Sequence, residues 1–392
     1  MPDVLTLDDL DLDGAKVLVR ADLNVPLDDG EVGDDFRIRM ALPTIEKIRS
    51  EGAIVAVCSH LGRPKGEDPS FSMKPVADRL DELSDFAVTF IPASAGDQVA
   101  KTVGAASVGD VFVLENTRFH PGETKNDPEL AAAMAAPFDL FVQDAFGSVH
   151  RAHASTVGVA ELLESAAGPL LVAELEALGK LTGDPDRPYV VILGGAKVSD
   201  KLGVIRNLLP TVDTMLIGGG MCFTLMRARG HDVGASMVEE DMVETVAEIL
   251  AGPGGDKIQL PIDIVIADEF KEDARIRTVP VEKLEAGWMG LDIGPDTTKA
   301  FTEVIGGASS IFWNGPMGVF EWPRFRDGTE AVARAMSESD GYTVVGGGDS
   351  ASAMRMFGYE DSISHLSTGG GASLEMLEGS ELPGVEALKR WV

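Results

Sequence analysis

Apolar runs rich in β-branched residues recur along the chain and alternate with stretches of helical periodicity. The runs in the first half are KVLVRADL, AIVAVCSH, VFVLEN and DLFVQDAF, and those in the second are PYVVILGG, TMLIGGG, IDIVIADEF, SIFWNG and YTVVGGG. Helices are predicted between them at TIEKIRS, PVADRLDEL, DPELAAAMAA, KLGVIRNLL, VEEDMVETVAEIL and TEAVARAMSES. Continuous apolar strands separated by helices are typical of parallel sheets covered on both faces, so the pattern predicts an α/β fold.

One segment near the middle of the chain interrupts this alternation. ELLESAAGPLLVAELEALGKL, residues 161–181, predicts a long helix that is broken or begins at Gly168-Pro169, and the turn-rich TGDPDRP follows it. We place the domain boundary there, with an N-terminal domain over 1–165, a connecting helix over 166–182 and a second domain over 183–372. A length of 392 residues exceeds one ordinary core and also favours two domains.

The charge of the chain is strongly acidic, with 33 Lys and Arg against 64 Asp and Glu and a formal net charge of −31. Such a balance argues against a nucleic-acid surface, which needs clustered cations. The acids are spread along the chain, which favours a solvated surface suited to high salt; a merely soluble protein of low pI is the alternative. The two cysteines lie far apart and favour a reducing compartment. With no signal-peptide pattern and no membrane-length apolar stretch, we expect a cytoplasmic protein.

In the second half, VVILGGAK, TMLIGGGM and YTVVGGGD each lead from an apolar strand through glycines into a helix-like segment. Glycines let backbone N–H groups approach an anion at a helix N-terminus, so the repetition favours a nucleotide or phosphate site. In GGAKVSDK, Lys197 and Lys201 are four residues apart, on one side of a helix that starts near Val198, and suit nucleotide phosphates. An exposed helix start is the alternative for that motif.

Two further motifs of the second half carry polar side chains at predicted strand ends. GGGDSASAM places Asp349 and Ser350 where they could cap a helix, or give N–H groups to a phosphate and a carboxylate to its Mg²⁺. WNGPMGVFE offers Asn314, and Glu321 as an acceptor for ribose hydroxyls, although an incidental glutamate after a Gly-Pro turn is the alternative. Neither a Walker A sequence nor an opening GxGxxG occurs, which disfavours a P-loop NTPase and a Rossmann dehydrogenase.

The first half carries arginines and histidines, most of them directly after apolar strands. Ligands of open α/β sheets bind beyond the carboxyl ends of the strands, so these residues predict a site for a small, multiply anionic molecule. The set comprises Asp22 and Asn24 in RADLNVP, Arg37 in DDFRIRM, His60 and Arg63 in SHLGRP, Arg118 in ENTRFHPGE, and Arg151 in HRAH. A metal site at His150 and His153 is disfavoured, because several guanidinium groups would compete with the cation.

Taken together, these segments resemble the signature segments of the phosphoglycerate kinases. RADLNVP, SHLGRP, ENTRFHPGE, HRAHAST, GGAKVSDK, WNGPMGVFE, GGGDSA and STGGGASLE occur in that family's order between residues 20 and 375. The resemblance implies two doubly wound, Rossmann-like parallel-sheet domains joined by a hinge helix, with the C-terminal tail 373–392 returning to the first domain. It also implies reversible phosphoryl transfer between 1,3-bisphosphoglycerate and ADP, giving 3-phosphoglycerate and Mg-ATP.

Carried over motif by motif, the resemblance implies a set of site residues. The phosphoglycerate would be held by Asp22, Leu23, Asn24, Arg37, His60, Leu61, Gly62, Arg63, Arg118 and Arg151. The nucleotide would be held by Lys197, Lys201, Asn314, Glu321, Gly346, Gly347, Gly348, Asp349 and Ser350, with Asp349 meeting metal only through the nucleotide-bound Mg²⁺. Gly370 and Gly371 would place backbone N–H groups near the phosphoryl group in flight.

The signature segments contain no convincing pair of nucleophile and base, which agrees with this chemistry. A carboxylate nucleophile is already ionised at neutral pH, so positioning and charge neutralisation remain. We expect Arg37 and Lys197 to stabilise the transition state, and we expect hinge closure when both ligands bind. A nicotinamide-dependent dehydrogenase and a non-catalytic, two-lobed anion-binding protein are the rival hypotheses, and a monomer is the default.

Overall fold

The apolar runs form the strands of two parallel sheets, one in each of two units. The computed structural model describes residues 4–391 of the chain. The first unit contains the described residues up to Glu176 and, after a long excursion of the chain, those from Glu381 onward; the second unit runs from Ala177 to Ser380. The architecture is α/β with a six-stranded parallel sheet in each unit, which confirms the predicted fold class.

The first unit is built on a doubly wound sheet. Its strands are, in chain order, β1 (Lys16–Arg20), β2 (Leu27–Asp28), β3 (Glu31–Val32), β4 (Ile54–Cys58), β5 (Val88–Ile91), β6 (Val111–Leu114), β7 (Leu140–Gln143) and β8 (Glu164–Ala167). The sheet order is β5-β6-β4-β1-β7-β8 with every pair parallel, while β2 and β3 form a separate antiparallel hairpin. The chain therefore winds outward from β1 in both directions, which places a topological switch point beside β1.

The helices of this unit cover the sheet with their apolar faces. They are α1 (Phe36–Ser50), α2 (Lys74–Leu83), α3 (Asp97–Gly104) and α4 (Pro128–Ala135). Ile38, Ile45 and Ile48 of α1 are fully buried in the core with Val17 and Val55 of the sheet. The helix begins earlier than the segment TIEKIRS predicts, so that Arg37 lies on its first turn.

A long helix follows, α5 (Pro169–Thr182), within which the boundary between the units falls. The sequence leaves open a helix that is broken at Gly168-Pro169 or begins there, and the structure shows the second: β8 occupies Glu164–Ala167 and α5 starts at Pro169. Proline suits the first helical position, since its missing N–H has no intrahelical partner there. The buried Asp144 accepts from the N–H of Leu171, 3.1 Å away, and a Cβ at Gly168 would lie 2.3 Å from its Oδ1.

The second unit holds a second parallel sheet and a small antiparallel one. Its strands are β9 (Tyr189–Leu193), β10 (Thr214–Ile217), β11 (Ile258–Gln259), β12 (Asp263–Ala267), β13 (Ile276–Pro280), β14 (Met289–Ile293), β15 (Ser310–Asn314), β16 (Tyr342–Gly346) and β17 (His365–Leu366). The parallel sheet has the order β11-β10-β9-β15-β16-β17, and β13-β12-β14 pair antiparallel. The run IDIVIADEF is thus a strand but not a member of the parallel sheet, since it pairs antiparallel with β13 on one side and with β14 on the other.

The helices of the second unit are α6 (Leu202–Leu208), α7 (Cys222–Ala228), α8 (Val243–Ala251), α9 (Pro295–Gly306), α10 (Asp327–Ser337), α11 (Gly348–Phe357) and α12 (Gly370–Leu377). The chain then returns to the first unit through α13 (Pro383–Glu386). The return starts at Glu381 and not at residue 373 because α12 belongs to the second unit, where the Asn207 amide at the end of α6 donates to Leu377 O, 2.7 Å away.

Two negative findings concern the described residues. No helix within 4–391 is both long and apolar enough to cross a membrane. Cys58 and Cys222 are both free thiols, buried in different units.

Candidate active site

The carboxyl ends of four neighbouring strands of the first unit, β6, β4, β1 and β7, carry the predicted anion-binding residues. Because these ends lie along one edge of the sheet, the loops that follow them share that edge. The loops supply Asp22 and Asn24 after β1, His60 and Arg63 after β4, Arg118 after β6 and Arg151 after β7. The order of the strands in the sheet therefore brings these residues to one edge.

Arg37 reaches this edge from the first turn of α1. Its Nη1 lies 3.3 Å from Asp22 Oδ1 and donates to Asn24 O at 2.9 Å. Asn24 in turn accepts from the N–H of Gly62, 2.8 Å away, which ties the loop after β1 to the loop after β4. These contacts with the loop after β1 orient the guanidinium group.

Leu23 and Leu61 lie in the same loops, but their side chains are buried in the core. The N–H of Leu23 donates to Ser59 Oγ at 2.9 Å, and that of Leu61 to the side chain of Asn116 at 3.2 Å. A contribution of these two residues to a ligand site is therefore limited to backbone groups and to the placement of their neighbours.

A cavity of about 450 Å³ opens beside this edge of the first unit. Its lining includes Arg63, Lys65, Arg118, His120, Arg151 and His153. Burial, with the nearby charges of Arg151 and Arg20, lowers the pKa of Arg118 to about 10, and its Nη1 donates to Gly62 O at 2.5 Å. Like charges held together in a half-buried cavity favour an anionic ligand, which would relieve their repulsion.

Three histidines of this edge, His60, His150 and His153, have pKa values below the ordinary value. Burial, and then the charges of Arg20 and Arg118, hold the pKa of His60 well below its ordinary value. Burial likewise lowers the pKa of His153 to about 4 and, together with Arg151, lowers the pKa of His150. Arg151 Nε donates to His150 Nε2 at 3.0 Å. The lowered pKa values favour the neutral form of these three histidines, so the positive charge of this edge comes mainly from the arginines and Lys65.

No cluster of three or more His, Cys, Asp or Glu residues that could hold a metal ion occurs between residues 4 and 391. This finding includes the HRAH segment with His150 and His153.

Sequence reasoning missed the residues that lie beneath the cationic edge. Arg20 ends β1 and is completely buried, and its guanidinium contacts His60 Nδ1 at 3.0 Å. Glu123 and Ser155 are also fully buried and hydrogen-bond to each other. The one signal in the sequence is the arginine that ends the apolar run KVLVR, a position at which a buried charge needs partners.

The glycine-rich turns of the second unit pack closely against one another. A Cβ at Gly194 would lie 2.1 Å from Pro316 O, and one at Gly219, where φ is +63°, would lie 2.6 Å from the backbone nitrogen of Gly195. The turns after β9 and β10 therefore contact the Gly-Pro turn after β15 by backbone alone. Only glycine permits this approach.

A second cavity of about 450 Å³ lies beside these turns, entirely within the second unit. Most of its side chains are apolar, while three carboxyl groups, those of Asp292, Glu321 and Asp349, and several backbone turns supply polar groups. They include Phe223, Met237, Ile264, Phe270, Met289, Leu291, Met317, Glu321 and Asp349. Sequence reasoning found the glycine turns, Glu321 and Asp349, but not the apolar wall, because that wall is assembled from segments far apart in the chain, among them Phe223 of α7, Ile264 of β12 and Leu291 of β14.

The GGGDS segment forms the turn between β16 and α11. Gly347 has φ +92°, α11 begins at Gly348, and Asp349 is exposed in the first turn. Ser350 is buried and its Oγ accepts from the N–H of Gly315 at 2.6 Å. The buried Asn314 amide donates to Gly346 O at 2.8 Å. These two side chains therefore hold the turns together.

Another glycine pair, Gly370 and Gly371, forms the first turn of α12. A Cβ at Gly370 would lie 3.2 Å from the Cα of Gly347, so the N-termini of α11 and α12 lie side by side. The first N–H groups of a helix have no intrahelical acceptor and carry the positive end of the dipole. Two adjacent N-termini thus form an arrangement suited to a phosphoryl group.

The lysines of GGAKVSDK are not placed as the helical spacing predicts. The segment Ser199–Lys201 is a 3₁₀ turn and α6 starts only at Leu202, so the two lysines precede the α-helix. Lys197 is exposed, whereas Lys201 is partly buried. Burial lowers the pKa of Lys201, although the charges of Asp200, Asp349 and Glu378 oppose the shift.

The comparisons with known proteins decide which family this arrangement represents. The model of the family described as phosphoglycerate kinase matches residues 7–380. The chain is 57% identical to the phosphoglycerate kinase of Rubrobacter xylanophilus over 381 residues, covering 97% of each chain. It is 54% identical to that of Salinispora arenicola over 397 residues, covering 98% of this chain and 99% of the relative.

Solved structures give the same result. The phosphoglycerate kinase of Coxiella burnetii matches with a TM-score of 0.88 at 38% identity, covering 99% of both chains. That of Pyrococcus horikoshii matches with a TM-score of 0.88 at 32% identity, covering 98% of both. The chain belongs to the phosphoglycerate kinase family. It is therefore a kinase of the class that transfers a phosphoryl group to and from the carboxyl group of 3-phosphoglycerate, which confirms the predicted reaction. This reaction is a step of glycolysis.

Proposed function

We propose that the cationic edge of the first unit binds the phosphoglycerate and that the cavity of the second unit binds ADP or Mg-ATP. The observation that carries this proposal is the chemical difference between the two cavities. One is lined by arginines, lysine and histidines, whereas the other combines an apolar wall with glycine turns and helix N-termini. The first suits a small polyanion and the second suits a nucleotide.

In the first unit, Arg63, Arg118 and Arg151 neutralise the anionic oxygens of the phosphoglycerate. Arg37 donates to its reacting end, oriented by Asp22 and Asn24, and His60 donates a hydrogen bond. The loops of Leu23, Leu61 and Gly62 keep these groups in place. Planar guanidinium groups suit this task, since each presents two parallel donors to a carboxylate or phosphate.

In the second unit, the purine base lies against the apolar wall and Glu321 accepts from ribose hydroxyls. Lys197, Lys201 and the turn Gly346–Ser350 hold the phosphates. Asn314 and Ser350 act by supporting that turn. Asp349 fits the nucleotide's Mg²⁺, because it is an exposed carboxylate in the first turn of α11 and hard cations prefer oxygen ligands. That ion arrives with the substrate.

The transfer step needs no general base. The attacking group is either a carboxylate, ionised at neutral pH, or a nucleotide phosphate, so the protein has to align the reactants and neutralise charge. Arg37 from the first unit, Lys197 from the second, and the N–H groups of Gly370 and Gly371 supply that neutralisation. Because the donor and acceptor bind to different units, we propose hinge closure as the step that excludes water.

The remaining properties follow from composition and chemistry. We propose that the enzyme works as a cytoplasmic monomer, that it does not bind nucleic acid, and that its acidity reflects adaptation to high salt. The net charge of −31 supports the last two points. X-ray scattering of the full chain with both ligands tests closure; an unchanged radius of gyration would contradict it.

A coupled assay with 3-phosphoglycerate and Mg-ATP, run from low to molar salt, tests the activity. Arg118→Ala should raise KM for 3-phosphoglycerate roughly tenfold or more, as expected for the loss of a charged hydrogen bond, with KM for ATP unchanged. Lys101→Ala, a cation exposed on α3, is the matched control and should change neither constant. No turnover at any salt concentration would refute the proposed function.

A further inference from the structure

Arg20 is an unusual residue, because it is a completely buried arginine at the end of the central strand β1. Its guanidinium is engaged on several sides. Nε donates to Ser155 Oγ at 2.9 Å, Nη1 to Ala21 O at 2.5 Å, and Nη2 contacts His60 Nδ1 at 3.0 Å. Longer contacts of 3.4 Å reach the hydroxyls of Ser59 and Ser148.

The carboxylate that balances the charge of Arg20 is that of Glu123, and the hydroxyl of Ser155 bridges the two side chains. Ser155 Oγ donates to Glu123 Oε1 at 2.5 Å, while the N–H of Ser155 donates to Glu123 Oε2 at 3.1 Å. Glu123 is fully buried and also accepts from Thr117 Oγ1 at 3.2 Å. Ser155 lies in a π-helical turn over Ala154–Gly158, a rare conformation that is frequent at functional sites.

The direction of every bond in this chain of contacts is determined. A guanidinium group only donates and a carboxylate only accepts. Ser155 must therefore give its one proton to Glu123 and accept from Arg20 Nε. At the other end, His60 Nδ1 must accept from Arg20 Nη2 and cannot carry a proton.

A neutral His60 consequently carries its proton on Nε2. The neutral state is supported by burial and by the charged and titratable groups around the ring, Arg20, Arg118, Arg37 and His153, which together hold its pKa well below the ordinary value. An Nε2–H group can donate to an anionic oxygen, whereas the other tautomer would present a lone pair to it and repel it.

We propose that Arg20 is a positioning residue, which the buried Ser155–Glu123 pair orients and which presents His60 to the phosphoglycerate as an Nε2–H donor. The identity of the ligand rests on the proposed function, but the tautomer does not. The arrangement provides a donor whose protonation is unchanged when the anion binds. Arg20 acts through His60 and does not itself contact the ligand.

Nuclear magnetic resonance of the full chain with ¹⁵N-labelled histidine tests this directly. Long-range ¹H–¹⁵N correlations distinguish the two tautomers, and comparison with His60→Gln assigns the signal. The wild type should show protonated Nε2 and bare Nδ1 for His60, with no titration between about pH 5.5 and 8. An Nδ1–H signal, or titration near the ordinary pKa of histidine, would overturn the proposal.

Arg20→Met supplies the second measurement, since it keeps bulk but removes every donor. We expect a mixture of His60 tautomers and a roughly two- to tenfold rise in KM for 3-phosphoglycerate, in proportion to the lost Nε2–H population, with kcat much less affected. Ser148→Ala is the matched control, because its hydroxyl also touches Arg20 but does not lead to Glu123; it should leave the tautomer and KM unchanged.

The outcomes separate the two proposals. A folded Arg20→Met protein with His60 still wholly Nε2–H would refute the positioning role. Should that variant not fold, the wild-type spectrum and its pH dependence decide. A wild type with the expected tautomer but no turnover of 3-phosphoglycerate would refute the proposed function and leave the tautomer assignment intact.

Discussion

Arg37 and Asp22 form an ion pair in the first unit, with Arg37 Nη1 3.3 Å from Asp22 Oδ1. Asp22 is nearly buried, while the guanidinium remains partly exposed. An arginine already oriented by a carboxylate loses little entropy when it meets a developing negative charge. The pair is therefore a candidate for a preorganised transition-state clamp.

This arrangement predicts the effect of Arg37→Ala. We expect kcat to fall far more than the affinity for phosphoglycerate, with a barrier increase on the order of 3–4 kcal/mol for the loss of one charge-stabilising donor. Steady-state kinetics and calorimetric binding of 3-phosphoglycerate make the comparison. Equal losses in turnover and affinity would instead make Arg37 a ground-state binder.

Gly219 allows a prediction about the cavity of the second unit, which we propose binds the nucleotide. Gly219→Ala would place a Cβ 2.6 Å from the backbone nitrogen of Gly195, so the turns must separate, and turnover should fall by up to ~100-fold from misplacement of the nucleotide. Gly230→Ala is the matched control, since Gly230 has φ +87° but a Cβ there would meet nothing within 4 Å. It should lose roughly 1–2 kcal/mol of stability and keep its KM for ATP. Similar kinetics for both variants would contradict a steric cause.

Asp144 predicts a specific dependence of stability on pH. Burial raises the pKa of its carboxyl to about 6 from an ordinary 3.8, against hydrogen bonds from Thr44 and the N–H groups of Leu171 and Leu170. Between these values the folded chain binds the proton and the unfolded chain does not. Stability from this group is therefore fully present below about pH 4 and is lost as pH rises through 6.

The test compares wild type with Asp144→Asn in urea unfolding from pH 4 to 7. The free energy of unfolding of the wild type, relative to the variant, should fall by on the order of 2–3 kcal/mol across that range, because each unit of pKa is worth about 1.4 kcal/mol. Glu129→Gln, an exposed carboxylate on α4, should show no such trend. A pH-independent difference for Asp144→Asn would refute the assignment.

The net charge of −31 predicts a response to salt. Raising NaCl from about 0.1 M to 1 M shortens the screening length from ~10 Å to ~3 Å, so the melting temperature should rise as repulsion between carboxylates is screened. Changing the exposed Glu129, Glu272 and Glu303 to glutamine should flatten that rise. Full stability in dilute buffer, with no gain from salt, would contradict adaptation to high salt.

The strands and the strand-end residues were predictable because the pattern of apolar and polar residues along the chain indicates both. Continuous apolar runs identify buried parallel strands, and the first polar residues after each run must lie at the sheet's carboxyl edge. The start of α1 was not predictable in this way. Arg37 and Arg39 interrupt the apolar periodicity and Pro43 lies inside the helix, so the pattern emerges only after Pro43.

The residues beneath the site were harder to foresee. Ser155 and Glu123 are 32 positions apart, and their contact depends on a π-helical turn that no periodicity encodes. The sequence left open whether the helix near Gly168-Pro169 extends back to residue 161, for a related reason: the short strand Glu164–Ala167 forms by pairing with β7, a partner distant in sequence that local propensity does not include. Tertiary pairing overrides local preference at both places.

The order of the chain has a consequence for synthesis on the ribosome. Residues 381–391 complete the first unit, where Gly384 N–H donates to Val149 O at 2.8 Å and Trp391 Nε1 donates to Ala160 O at 2.8 Å. These residues are translated only after the entire second unit. A nascent chain can therefore finish the second unit first, while the first unit, although translated earlier, remains incomplete, with its surface near Val149 and Ala160 uncovered and available to chaperones.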